Sequence, residues 1–215
     1  MCDFEFKLYV ITLKHPNRII NINNQQNKIN HNIELFDAFN GDLLNEKIIN
    51  DAPITIYKPV HELSKTQKRE IGCYLSHFSI YKTIVPDNNY SIIFEDDFVI
   101  LTDKLLHKCN IIIEKLKGLK LDFDIIFLGN HHYNHNHGTL VHNDIYKLGN
   151  KEGLHGTQGY IVNNNNIHKI IEQIQNVTDP IDIKIQFLAN DKKLNVFSIF
   201  PYYVGEGNLN SFIRV

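Results

Sequence analysis

The chain is short of cysteine, of charge imbalance and of long apolar runs, and each shortage removes a class of protein. Cys2, Cys73 and Cys109 are the only cysteines in 215 residues. They are odd in number and far apart, so they make neither a disulfide framework nor a zinc-ligand spacing, and a reducing compartment is the simpler expectation. A net charge of −2 and a pI near 6.6 leave no basic footprint for nucleic acid. No apolar run approaches a membrane span. The opening Met1-Cys2-Asp3-Phe4-Glu5 is acidic where a secretory leader would be basic. The expected location is therefore cytoplasmic. No phosphate-binding Walker loop occurs, and Gly153-x-x-Gly156-x-x-Gly159 is not the dinucleotide fingerprint, which needs Gly-x-Gly-x-x-Gly directly after a first strand. Those absences count against a P-loop enzyme and a dehydrogenase. Internal repeats and clear linkers are lacking too, so residues 1–215 are expected to form one domain. Nothing in the sequence sets an oligomeric state.

What is present begins with 43% hydrophobic residues, ample for a core. Phe6 to Leu13 is expected to be a first strand, and a short helix is expected around Arg18, Ile19, Ile20 and Ile22. Ile33 to Phe39 reads as a second strand closed by the turn pair Asn40-Gly41. The two-proline stretch from Asp51 to Glu62 reads as a loop. Ser64-x-x-Gln67 has capping-box spacing. Behind it Ile71, Tyr74, Leu75, Phe78, Tyr81 and Val85 recur at three- and four-residue steps, so one face of a helix is apolar. Pro86 ends it. A strand Tyr90 to Phe94 follows. Next come a helix from about Asp103 to Lys117 with Gly118 as its cap, and a strand Asp122 to Leu128. An edge strand Ile145 to Leu148 and a strand Gly159 to Val162 precede helices near 165–175 and 180–189. Leu194 to Phe200 is expected to be the last strand. Strands alternating with helices imply an α/β fold with a mostly parallel sheet flanked by helices, where ligands gather at the carboxyl ends of strands.

Glu95-Asp96-Asp97 sits at such an end. Three adjacent carboxylates repel one another unless a cation or strong donors share the place. Hard oxygen ligands on a rigid strand end suit Mg²⁺ or Mn²⁺ bridged to phosphate; the alternative is a solvated acidic strand end. Four histidines, His131, His132, His135 and His137, crowd one polar loop, but no regular element fixes them for zinc, and they read as solvated.

Several blocks together carry a family resemblance. They are Tyr9-Val10-Ile11-Thr12-Leu13-Lys14-His15-Pro16-Asn17-Arg18, Phe36-Asp37-Ala38-Phe39-Asn40-Gly41 and Glu70-Ile71-Gly72-Cys73-Tyr74-Leu75-Ser76-His77. Further on stand Ile93-Phe94-Glu95-Asp96-Asp97, Asp124-Ile125-Ile126-Phe127-Leu128-Gly129, Gly156-Thr157-Gln158-Gly159-Tyr160 and Pro180-Ile181-Asp182. Over roughly residues 6 to 205 the chain resembles the family 25 glycosyltransferases. The resemblance implies a GT-A-like α/β fold, a UDP-hexose donor carrying galactose or glucose, Mn²⁺ or Mg²⁺ as the ion, and transfer to a glycan or hydroxylysine-type hydroxyl, with inversion. It implies that Asp97 is the direct metal ligand, supported by Asp96 or Glu95 in a DXD-like motif, and that Asp182 is the base. Asp182 also reads as a helix N-terminal carboxylate complementing the helix dipole.

By the same resemblance Thr12, Lys14, Arg18 and Ala38 would contact the nucleotide, and Gly72, Ser76 and His77 would flank it. Gly156, Thr157 and Gln158 would form the sugar or acceptor rim. Lys14 and Arg18 also read as solvated loop charges, Gly72 and Ser76 as a close-packing pair, and His77 as a core histidine. Two departures stand out. The first loop carries His-Pro-Asn where relatives often show a denser arginine run. No histidine follows His168, so Glu206, Asn208 or water would have to complete a metal shell. Two rival functions follow: a catalytically silent nucleotide-sugar-binding or scaffold protein, and a nucleotidyltransferase.

Overall fold

The structure, a computed structural model, describes residues 4–52, 54–87, 89–130, 138–149 and 155–207. The loop histidines His131, His132, His135 and His137, together with Gly153 and Asn208, lie outside them. In chain order the elements are β1 (Phe6–Thr12), α1 (Pro16–Ile29), β2 (Ile33–Asp37), α2 (Glu46–Asp51), β3 (Thr55–Ile56), α3 (Lys65–Thr83), β4 (Tyr90–Glu95) and β5 (Phe98–Ile100). Then come α4 (Leu105–Gly118), β6 (Ile125–Gly129), β7 (Thr139–His142), β8 (Ile145–Lys147), β9 (Gly159–Asn163), α5 (Ile167–Ile174), β10 (Asn176–Val177), α6 (Ile181–Asn190), β11 (Val196–Ile199) and β12 (Val204–Glu206).

Eight strands form one sheet in the order β2-β1-β4-β9-β6-β11-β8-β7. Six of them run in one direction, with β9 and β8 against them. The expected α/β fold with a mostly parallel sheet flanked by helices is therefore the one observed. The inner strands β1, β4, β9, β6 and β11 are buried on both faces, and their side chains alternate between two cores, whereas β2 and β7 at the sheet edges are largely exposed. Tyr9, Ile11, Ile93, Phe127 and Tyr160 point toward α3, α5 and α6. Leu8, Val10, Ile92, Phe94, Ile126 and Leu128 point toward α1 and α4. No helix among the described residues is long and apolar enough to cross a membrane.

Some expectations need correction. The short helix near Arg18 is fourteen residues long, opened by Pro16 and closed by Asn30 in the left-handed conformation. The second strand stops at Asp37, before the turn. The stretch 51–62 holds β3 and a 3₁₀ turn at Val60–Glu62, with β3 pairing β10. Gly118 is the last residue of α4, and the left-handed residue beyond it is Lys120. The segment 145–148 is not the sheet edge, because β7 pairs outside β8.

The most consequential addition is the β5/β12 ribbon. It crosses beside the ends of the central strands. Gly129 permits this, since a Cβ there would lie 1.8 Å from the Val204 carbonyl oxygen.

The order β2-β1-β4 has a physical consequence. From β1 the chain moves outward to β2, then returns to the other side of β1 to form β4, with all three strands parallel. The sheet therefore has a switch point between β1 and β4, and a crevice opens beyond their carboxyl ends.

Candidate active site

Thr12 ends β1 and Glu95 ends β4, so the two strands deliver both residues to this crevice. Asp96 and Asp97 form the turn between β4 and β5. The inner face of α1 organises that turn. Arg18, Ile22 and Gln25 follow one another at steps of four and three and are all buried. Arg18 Nη1 lies 3.3 Å from Asp96 Oδ1 and 2.8 Å from Asp97 Oδ2. Asn21 Nδ2 donates to the carbonyls of Asp96 at 3.0 Å and Phe98 at 2.9 Å. Gln25 Oε1 accepts from Ile100 N at 3.0 Å. The Thr12 hydroxyl donates to Asp96 Oδ2 at 2.8 Å and accepts from Lys14 N at 2.9 Å.

One guanidinium does not offset three carboxylates in this setting. Burial, then the neighbouring Glu95 charge, pushes Asp97 up to about 7 against the pull of Arg18. Burial also raises Asp96. Asp97 Oδ1 is buried and has no hydrogen-bond partner among the described residues. A divalent cation fits that chemistry: two hard carboxylates fixed by Arg18 and Thr12, with one oxygen left unengaged.

A cavity of about 320 Å³ opens on the β1 side of this tip, lined by Thr12, Arg18, Ala38, Ser76, His77 and all three acids, among others. A second cavity, also about 320 Å³, opens on the far side, lined by Gly156, Thr157, Gln158, Asp182 and Glu206 with Glu95 and Asp97. Cys73, Glu95 and Asp97 border both. Cavities of this size suit small molecules.

Two expected contacts are not in either cavity wall. Lys14 has a left-handed backbone and its ammonium pairs with Asp37 beside the exposed end of β2. Gly72 faces backbone: a Cβ there would lie 2.7 Å from Phe39 O and 2.8 Å from Gly41 N. Ser76 completes that join, accepting from Phe39 N at 2.8 Å and donating to Gly72 O at 2.7 Å. Gly72 and Ser76 thus seat the Ala38–Gly41 wall on α3. Asp182 begins α6. Its Oδ2 accepts from Gly156 N at 2.7 Å and its Oδ1 from Ile183 N at 2.9 Å. Glu70, in the same cavity, is raised by burial and by the Asp182 charge.

Sequence reasoning missed Cys73, Tyr81 and the role of Tyr160. Cys73, His77 and Glu95 bring ligand atoms within 4.8 Å of one another. The thiol is pushed well up by burial and by Glu95. Tyr81 OH donates to Tyr160 OH at 2.8 Å, and Tyr160 OH lies 2.7 Å from His77 Nδ1. The i, i+4 spacing of Cys73 and His77 on an apolar helix was the available signal.

The fold and cleft define an α/β protein with a carboxylate-tipped cleft at a switch point. The model of glycosyltransferase family 25 (LPS biosynthesis protein) matches residues 6–185, and the chain belongs to that family. Among curated relatives it is 31% identical over 130 residues to procollagen galactosyltransferase 1-A of Xenopus laevis, covering 57% of this chain and 21% of that protein. It is 25% identical over 127 residues to the probable inactive glycosyltransferase 25 family member 3 of Rattus norvegicus, covering 57% of this chain and 22% of that protein. The matched part thus spans about a fifth of the length of these relatives. The crystal structure of apo-UDP-glucose pyrophosphorylase superposes with a TM-score of 0.50 at 9% identity, over 91% of this chain and 90% of that one. That likeness is one of fold.

Proposed function

We propose that this protein transfers a hexose, galactose or glucose, from a UDP-sugar to a hydroxyl acceptor, with inversion at the anomeric carbon. The observation that carries the reading is the position of Asp97: between two cavities of similar volume, with a buried oxygen that has no partner among the described residues, at the switch point. The cavity bounded by Thr12 and Ala38 takes the nucleotide, and the one bounded by Gly156 and Asp182 takes the acceptor. Asp97 and Asp96 would hold Mn²⁺ or Mg²⁺, which supplies charge neutralisation to the leaving diphosphate. Arg18 and Thr12 keep those carboxylates in place. In the displacement the acceptor oxygen attacks the anomeric carbon, the bond from that carbon to the diphosphate oxygen breaks, and UDP leaves with the electron pair. Asp182 takes the acceptor proton. Relatives named procollagen galactosyltransferase support galactose as the sugar; a hydroxylysine-type or a glycan acceptor fits the same chemistry.

A second reading, a catalytically silent binding protein, is favoured by the relatives named inactive and by the hold of Arg18 on the acidic tip. Incubation with UDP-galactose or UDP-glucose and Mn²⁺, with UDP release measured, separates them. Release that disappears in Asp97→Ala supports transfer. Tight UDP binding without release on any donor or acceptor supports the silent protein. Pyrophosphate released from UTP would make it a nucleotidyltransferase.

A further inference from the structure

Four side chains behind the acidic tip form a hydrogen-bonded line whose direction is determined. Tyr81, Tyr160 and His77 are fully buried. Tyr81 OH donates to Tyr160 OH at 2.8 Å, so the Tyr160 proton is left for His77 Nδ1, 2.7 Å away. Nδ1 therefore accepts, and a neutral imidazole carries its proton on Nε2. Nε2 lies 3.3 Å from the Thr157 hydroxyl oxygen. Thr157 in turn donates to Glu95 Oε1, so toward His77 it accepts. Each group gives one proton forward, and the line ends on a carboxylate that has nothing to donate. Such a chain strengthens along its length in a low-dielectric interior.

The line ends at Glu95, which borders both cavities. The transferred hexose must pass between those cavities, so the carboxylate stands where the sugar does. The geometry points to Tyr160, His77 and Thr157 as positioning residues that aim the Glu95 carboxylate at the hexose of the donor. The role rests on the transferase reading; the direction of the chain does not. It also bears on the Cys73–His77–Glu95 group. A soft metal there would need the Nε2 lone pair, and the chain leaves Nε2 protonated.

Two measurements test this on the full chain. The first is ¹⁵N NMR of histidine-labelled protein, with the His77 signals assigned by their loss in His77→Gln. The Nε2–H tautomer is expected in the native protein and in Tyr81→Phe, since Tyr160 still donates. Tyr160→Phe is expected to keep that tautomer, because Thr157 still accepts from Nε2, but to shift the unprotonated Nδ1 resonance as it loses its hydrogen bond, a shift that Tyr81→Phe does not produce. An Nδ1–H tautomer in the native protein, or no difference between the two phenylalanine variants, overturns the chain.

The second measurement is UDP release. Thr157→Val is expected to lower kcat by about 10- to 100-fold, the worth of a hydrogen bond to a charged group, with donor KM little changed. Thr157→Ser, which retains the hydroxyl, is expected to restore most of the rate. Equal losses in Val and Ser, or a loss confined to KM, overturn the positioning role. If the native protein turns over no UDP-sugar, the transferase reading fails and takes that role with it, while the NMR result still decides the chain.

Discussion

Arg18 Nη1 lies 2.8 Å from Asp97 Oδ2, and both side chains are almost wholly withdrawn from solvent, at 4% and 11% exposure. A helix following the first strand thus reaches across to the end of the fourth and holds its acidic turn. Ion pairs at this depth offset a large desolvation cost and leave little net gain. Here the guanidinium occupies one oxygen of Asp97, and the other has no hydrogen-bond partner among the described residues.

Arg18→Met is therefore expected to destabilise the protein by about 3–5 kcal/mol, because it strands buried carboxylates without their partner. Denaturant unfolding measures it. Mn²⁺ should recover part of the loss in the variant and raise the native protein's stability less, since a cation then takes over charge that Arg18 no longer offsets. Unfolding midpoints equally insensitive to Mn²⁺ in both proteins would dissociate the acidic tip from cation binding.

Asp97 gives a pH signature of definite sign in the metal-free protein. Its carboxyl sits at about 7 when folded against an ordinary 3.8, so between those values the folded state holds more protons than the unfolded one. Stability from this group then falls as pH rises from about 4 to about 7, by at most about 1.4 kcal/mol per pH unit, and is flat above. Asp97→Asn imitates the protonated form. It should match the native protein near pH 4 and exceed it in stability near pH 8. The difference between the two curves isolates this residue from others, such as Asp42, whose bond to Arg69 shifts it the opposite way. A difference that does not change with pH would remove Asp97 as the source.

What could be read in the sequence was what local chemistry decides. Ser64 and Gln67 close their capping box as the spacing requires. Tyr90 to Phe94 is apolar at nearly every position because β4 is covered on both faces. By contrast α1 carries Asn21, Asn23, Asn24 and Asn27, residues that are poor helix formers. Its length comes from tertiary contacts of Arg18, Asn21 and Gln25 with the Asp96–Ile100 segment, which no local pattern announces. β5 and β12 are three residues each and exist only by pairing across the chain.

The acidic tip was legible for the same reason: three carboxylates at a strand end need an explanation wherever they occur. Arg18 read as a phosphate contact or a solvated charge, and the structure finds it holding the acids instead. That partnership spans nearly eighty positions of sequence. Tyr160 read as a strand residue only, because its hydroxyl acquires meaning once β9 sets it against His77 and Tyr81.

Gly72→Ala tests the nucleotide wall. The added methyl would meet Phe39 O at 2.7 Å and Gly41 N and Cα at 2.8 and 2.9 Å, all backbone, so the wall must move. Overpacking of this kind costs about 1–3 kcal/mol. Calorimetry should find UDP affinity reduced along with stability. Lost stability with unchanged UDP affinity would place the nucleotide elsewhere.

Asp182→Asn tests the base. Both carboxylate oxygens already accept a backbone N–H, from Gly156 and from Ile183, so the side chain is anchored before any substrate arrives. An accepting oxygen has a second lone pair, and the residue lines the cavity that also holds Glu95 and Asp97. Asparagine keeps the size and one accepting oxygen, enough to retain the Gly156 contact. It cannot take a proton from an acceptor hydroxyl. Transfer should therefore fall by about 10²- to 10⁴-fold, the range that general bases contribute, with UDP affinity nearly unchanged. A purely structural Asp182 gives a different result: the asparagine variant would keep its rate, whereas Asp182→Ala, which releases Gly156, would lose rate and stability together. Measuring both variants by UDP release and thermal unfolding decides between a residue that accepts the proton and one that only ties the Gly156 loop to α6.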